Sequence, residues 1–194
     1  METYKLPVSF FEALTFTVKA HNKQYRKSID KTVPYINHPI KVAKRLLHAL
    51  QNSNVSEGDM SCFVQAALLH DVVEKTKHNL DEIRDIFGEK TADLVFELTD
   101  PSKSIKNAKA RRKVRAKRAQ KYSLGAANIK VCDKTENLND ILVLNIDWPK
   151  NRIINYANEA KDVVLNCKEG FIFPCLLDDF FIIYEKIIRE HGED

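Results

Sequence analysis

Residues 62–73, CFVQAALLHDVV, are apolar on nearly every side of the helix that their spacing predicts. A helix with no polar face has to lie at the centre of a protein, covered by other elements. One such helix therefore calls for an assembly of helices around it. The stretch also contains an adjacent histidine and aspartate, His70 and Asp71. A charge left unpaired in such surroundings carries a heavy desolvation penalty, so the pair needs a partner.

The remainder of the chain supplies the surrounding helices. Phe10, Phe11, Leu14 and Val18 recur at helical spacing and predict an amphipathic helix over 8–21. Asn37-His38-Pro39 reads as a helix start, because proline is preorganised for the first turn, and the apolar residues continue to Leu50. Asn79 is placed to cap a helix over 80–87, and Gly88 to end it. Further helices are predicted over 90–98, 102–120, 126–145, 149–167 and 174–191. In the last, Leu176, Leu177, Phe180, Phe181, Tyr184 and Ile187 form the inner face. Residues 22–34 and 52–58 read as polar connections. With only five glycines and little β-branched alternation, the chain is expected to be all-α. No repeat or low-complexity linker divides it, so 1–194 reads as a single domain, a helical bundle.

Composition narrows the classes of function. The four cysteines are widely spaced with no CxxC pair, which argues against a zinc ribbon or a thioredoxin-like site. No apolar run reaches the roughly 18 residues needed to span a bilayer. The start METYKLPVSF lacks the layout of a signal peptide, so a cytoplasmic protein without membrane attachment is expected. Net charge is +4, but the ten basic residues between Lys103 and Lys121 are interrupted by no acidic one. Such a field attracts phosphate-rich ligands. No aromatic residue interrupts the run before Tyr122, so it offers no base-stacking platform, and a nucleic-acid partner is not expected.

His38, His70, Asp71 and Asp133 together offer two imidazoles and two carboxylates, a mixed nitrogen and oxygen set suited to a divalent metal such as manganese or iron. Glu74 follows His70 by one turn and is placed to orient or deprotonate a water at that metal. In the later helix Asp133, Asn137 and Asp140 share one face, and Leu138, Ile141 and Leu142 the other. Each residue taken singly also has a plainer reading. His38 would help cap a helix, and Asp133 would pair with Lys130 or Lys134 on the surface. Arg26, Lys27 and the basic run would then be solvated.

Four strings in order change that balance. AHNKQYRKS, PYINHPIKVA, AALLHDVVEKT and CDKTENLNDI resemble successive motifs of the HD-domain alarmone hydrolases. These form the hydrolase half of RelA/SpoT-type proteins and also occur as stand-alone small hydrolases of about this length. The match runs from residue 10 to residue 141, and the family fold is all-α. The resemblance implies a manganese ion held by His38, His70, Asp71 and Asp133, with Glu74 activating the attacking water. It implies that Arg26, Lys27 and Ser28 contact the nucleotide, the arginine against the base, and that Asn137 lies near the ribose. The implied reaction removes the 3′-pyrophosphate of guanosine tetra- or pentaphosphate; relatives with this fold are also linked to removing a phosphate from NADPH.

At two positions the chain departs from the pattern. The family follows the glutamate with aspartate, whereas this chain has Lys75, which joins Glu74 at the reacting centre. The exchange changes the local charge by two units, each worth on the order of 3 kcal/mol over about 5 Å at an effective dielectric near 20. Asn139 stands where an arginine is common. A nucleotide-binding protein that has lost turnover through Lys75 is the rival reading.

Overall fold

The computed structural model describes residues 8–51, 53–144, 146–168 and 170–192. In chain order its helices are α1 (Val8–Ala20), α2 (Asn37–Leu50), α3 (Glu57–Leu69), α4 (Val72–Lys75) and α5 (Leu80–Phe87). They continue with α6 (Glu89–Leu98), α7 (Ala108–Ala119), α8 (Leu124–Val143), α9 (Lys150–Leu165) and α10 (Pro174–His191). A 3₁₀ turn, Pro101–Ser104, precedes α7. Among the described residues there is no strand beyond an isolated bridge between Tyr25 and Pro34, so the all-α expectation holds. No helix is long and apolar enough to cross a membrane, again among the described residues.

The apolar stretch occupies the centre, as its composition requires. In α3 every residue from Phe63 to Leu69 is buried, and the helix packs on α1, α2, α6 and α8. The second deeply buried helix is α8, which α2, α9 and α10 cover. The inner face of α10 follows the sequence reading, with Leu176, Phe180 and Ile187 fully buried. Leu177, Phe181 and Tyr184 pack on the same core with partial exposure. Helix ends are set by local chemistry. The Ser56 hydroxyl accepts from the Asp59 N–H, and Asn79 and Glu82 form a reciprocal capping box at the start of α5. Gly88, at φ +85°, makes the turn from α5 to α6 that a side chain would resist.

Two segments differ from the sequence reading. The helix expected over 102–120 is divided into the 3₁₀ turn and α7, because Asn107 caps a fresh start by accepting from the Ala110 N–H. More consequential is the interruption at His70-Asp71, which lie not within a helix but at the junction of α3 and α4. Asp71, at φ −102°, ψ −6°, lies at the edge of the right-handed helical region. The carbonyls that such a break releases are accommodated: Thr17 Oγ1 donates to Leu68 O at 3.3 Å and His70 Nδ1 meets Ala67 O at 2.8 Å. The expected helix end Asn145 and loop start Asn52 lie outside the described residues. All four cysteines are free thiols; Cys132 is buried and Cys175 exposed.

Leu68 is wholly buried on α3, one turn before Val72 and beside the break. Leu68→Ala is expected to destabilise the protein by about 2–5 kcal/mol, the range for emptying a leucine site in a packed core. Urea unfolding measures it, and a loss under about 1 kcal/mol would contradict a central role for α3.

Candidate active site

Three mutually packed elements converge at one point: α2 carries His38, the α3–α4 junction carries His70 and Asp71, and α8 carries Asp133. All four side chains are buried. His38 Nε2 lies 3.2 Å from Asp133 Oδ1 and 3.8 Å from Asp71 Oδ2. His70 Nε2 lies 3.1 Å from Asp71 Oδ2 and 3.7 Å from Asp133 Oδ1. Donor atoms sharing one ion at bonds of about 2.0–2.3 Å stand roughly 3–4.5 Å apart. The ligand atoms of His38, His70 and Asp71 all fall within 4.8 Å of one another, and Asp133 faces the two histidines from α8. Adjacent side chains on a straight helix diverge by about 100°. The break after Leu69 lets His70 and Asp71 converge instead.

The tautomer of His70 carries the chemistry. Its Nδ1 can only donate to the Ala67 carbonyl, so Nε2 is left with a lone pair. That nitrogen is buried without a hydrogen-bond partner, and it faces the Asp71 carboxylate at 3.1 Å. Two polar atoms so placed require a cation between them, either a proton or a metal ion. The Asp71 charge favours the proton where no metal ion competes for that place. Burial opposes charge on His70, yet Asp71 outweighs it and raises the pKa. For His38, burial dominates and pushes the pKa down to about 4, leaving a neutral imidazole. Burial would raise both carboxylates, but His70 and Lys75 hold Asp71 well below the usual range, and Lys130 and Lys134 do so for Asp133. The donor set thus fits a divalent ion.

Asp71 and Asp133 of the cluster line a cavity of about 620 Å³. Glu74 lines it, and its Oε2 accepts from the Asp100 N–H at 3.0 Å. Lys75 turns back one turn to pair with Asp71 Oδ1, and its Nζ lies 3.8 Å from Glu74 Oε1. Tyr35 donates its phenol to Asp71 Oδ2. Burial and the Asp71 charge raise the phenol's pKa, which keeps it a donor.

Arg26 is not solvated. A short loop closed by Arg26 N–H to Val33 O at 2.9 Å turns its side chain into the cavity. There Nε donates to Asp140 Oδ2 and Nη2 to Asn137 Oδ1, both at 2.7 Å. Asn137 Nδ2 in turn donates to Asp133 Oδ1 at 2.5 Å, so one chain of hydrogen bonds joins Arg26 to the metal-type cluster. Lys27 also lines the cavity, its Nζ 5.8 Å from the Trp148 ring centre. Ser28 and Asn139 do not line it.

Asp133 does meet Lys130 at 3.4 Å and Lys134 at 3.7 Å, but Asp133 and Lys130 are buried and Lys134 is only partly exposed. Those lysines and Tyr35 are cavity residues that the sequence reading did not assign to the site, while Arg115 and Arg118 are the part of the basic run that reaches it. The basic run divides by side-chain type. Arg111, Arg112, Arg115 and Arg118 bind Ile105 O, Asp162, Asp100 and Glu97 O. Lys109, Lys113 and Lys117, at helical spacing on another face, are exposed. The available signal was that arginine–lysine phase along α7.

Comparison with known proteins agrees with this geometry. The HD domain family model matches residues 13–163. The guanosine-3′,5′-bis(diphosphate) 3′-pyrophosphohydrolase MESH1 of Homo sapiens is 37% identical over 154 residues, 79% of this chain and 81% of the human protein. The Drosophila melanogaster MESH1 is 36% identical over 169 residues, 87% of this chain and 89% of its own. A solved metazoan ortholog of SpoT, described as hydrolysing ppGpp, superposes with a TM-score of 0.79 at 29% identity, covering 98% of this chain and 99% of that one. The chain belongs to the HD-domain family.

Arg26→Ala leaves the buried Asp140 carboxylate with Lys41, at 3.2 Å, as its remaining cation. It is expected to cost about 1–3 kcal/mol of stability as well as ligand affinity. A melting temperature equal to wild type would show that the Arg26–Asp140–Asn137 network does not form in solution.

Proposed function

We propose that the chain is a single-domain, manganese-dependent hydrolase that removes the 3′-pyrophosphate of guanosine tetra- or pentaphosphate. Water is added across the bond between the 3′ oxygen and phosphorus, giving GDP or GTP and pyrophosphate. The observation that carries the reading is the convergence of the His38, His70 and Asp71 ligand atoms within 4.8 Å of one another, with Asp133 facing both histidines. The kind of substrate rests on the likeness to relatives that bear that activity in their names. A core shared by residues from α1 to α10 supports treating the chain as one domain. A nucleotide substrate fits a cytoplasmic enzyme.

His38, His70, Asp71 and Asp133 are the proposed ligands. A divalent ion bound there supplies Lewis-acid stabilisation of phosphoryl charge and makes water more acidic. Glu74, held by the Asp100 N–H, takes the proton from the attacking water. Lys75 lies beside it and stabilises negative charge on the substrate phosphates. Arg26 and Lys27, on one loop, and Asn137, on α8, bind the nucleotide, while Ser28 on the same loop stays outside the cavity. Arg26 already commits Nε and Nη2 to Asp140 and Asn137, so it offers the base its planar face rather than its whole fork. Trp148 and Tyr156 add aromatic wall to the same cavity.

Incubation with manganese and guanosine tetraphosphate should release GDP and pyrophosphate, and chelation should stop the release. Glu74→Gln should lower kcat by about 100-fold or more, the usual worth of a general base, while metal content stays unchanged. Release of a single phosphate, or turnover unaffected by chelation, would overturn the assignment. Lys75→Asp, which restores the family's acid, should raise kcat in the same assay; a fall would make Lys75 a required part of the chemistry.

A further inference from the structure

The two oxygens of Asp71 have different environments. Oδ2 faces the imidazoles, 3.1 Å from His70 Nε2 and 3.8 Å from His38 Nε2, and accepts from Tyr35. Oδ1 accepts from Lys75 Nζ. The spacing of four residues makes that pairing natural on a helical turn. Lys75 is held by more than this one bond. Its carbonyl accepts from Gln24 Nε2 at 3.0 Å, and its Nζ stands 5.4 Å from the centre of the Tyr35 ring. Its charge is therefore a fixed part of the site, while a third of its side chain stays open to the cavity.

Two consequences follow from elementary electrostatics. A divalent ion reaching Asp71 Oδ2 would meet a carboxylate already sharing its charge with an ammonium, and would be repelled by that ammonium across one carboxylate group. The same ammonium adds to a cavity wall that is cationic without any metal. Among the described residues lining it, seven arginines and lysines stand against five carboxylates. A low-dielectric cleft with that excess concentrates anions.

We propose that Lys75 is a resident counter-charge for Asp71 that weakens divalent-ion binding and lets the cavity hold the phosphates of an anionic nucleotide before any divalent ion arrives. The proposal rests on the preceding functional reading only in treating the cavity as a phosphate site. It makes Lys75 a determinant of the order of binding. Phosphate enters first, and the divalent ion is then drawn by the negative charge that the phosphate adds.

The test uses the full chain and two probes, neither of them a guanosine nucleotide. Manganese is titrated calorimetrically into wild type, Lys75→Met and Lys75→Arg; inorganic pyrophosphate is titrated into the same proteins in the presence of EDTA. Lys75→Met, which keeps the length and loses the charge, should bind manganese about 10- to 100-fold more tightly and pyrophosphate about 10-fold more weakly. Lys75→Arg should keep both affinities within about threefold of wild type. Should Lys75→Met not fold, judged by circular dichroism, Lys75→Gln takes its place with the same expectations. Manganese affinity that is unchanged or weaker, or metal-free pyrophosphate affinity that does not fall, overturns the proposal, as does a Lys75→Arg protein that behaves like Lys75→Met. If guanosine tetraphosphate is not hydrolysed but the two affinities move in opposite directions, the functional reading fails and the role of Lys75 stands.

Discussion

A hydrogen bond that looks incidental governs the site: His70 Nδ1 donates to the Ala67 carbonyl at 2.8 Å. That bond folds the ring back over the last turn of α3, where the helix ends. It fixes the imidazole so that Nε2 faces Asp71. The interruption then carries Asp71 onto the side where His38 and Asp133 converge. The centre of the fold and the proposed metal centre are thus one arrangement, because the buried central helix α3 ends in a cluster of imidazoles and carboxylates. Helices α1, α2 and α8 each contribute to both, through Thr17, His38 and Asp133.

The charges around this cluster are layered. Asp133 is flanked by Lys130 and Lys134, Asp71 by Lys75, and Asp140 by Arg26 and Lys41. Burying so many ionised groups is tolerable only because each faces an opposite charge. Asn137 links two of the layers, accepting from Arg26 and donating to Asp133. A ligand that displaces Arg26 would therefore be felt at Asp133 through a single amide, so the proposed nucleotide loop and the proposed metal ligands act as a coupled unit. The Asp100 N–H likewise ties Glu74 to the segment before α7, where Arg115 holds the Asp100 carboxylate. Ser102 and Arg115 outweigh burial and hold that carboxylate down at about 2, so it remains charged at neutral pH.

Much of this was legible in the sequence, for identifiable reasons. The helical period of apolar residues located the helices, and capping residues such as Asn79 and Gly88 set their limits closely. His38, His70, Asp71 and Asp133 could be picked out because imidazoles and carboxylates are rare on buried helix faces. The break at His70-Asp71 was not legible, since neither residue forbids a helix; it depends on contacts from Thr17, Tyr35 and Lys75 that lie elsewhere in the fold or require the turn itself. Lys130 and Lys134 read as solvent-exposed because lysine usually is. Both turn inward toward the Asp133 charge, which raises the pKa of Lys130 against the pull of desolvation, whereas for Lys134 desolvation prevails and the pKa is lowered. Arg26 read as a ligand-facing loop residue, and its second task, neutralising Asp140 across 114 positions of sequence, required the tertiary fold.

The central claim is that a divalent ion belongs between His38, His70, Asp71 and Asp133. Anomalous diffraction from a crystal grown with manganese tests it most directly. The account predicts one strong peak at about 2.0–2.4 Å from His38 Nε2, His70 Nε2, Asp71 Oδ2 and Asp133 Oδ1, with the His70–Ala67 hydrogen bond intact. A well-ordered site with no peak there, or a His70 ring turned so that Nε2 donates to a protein oxygen, would contradict it.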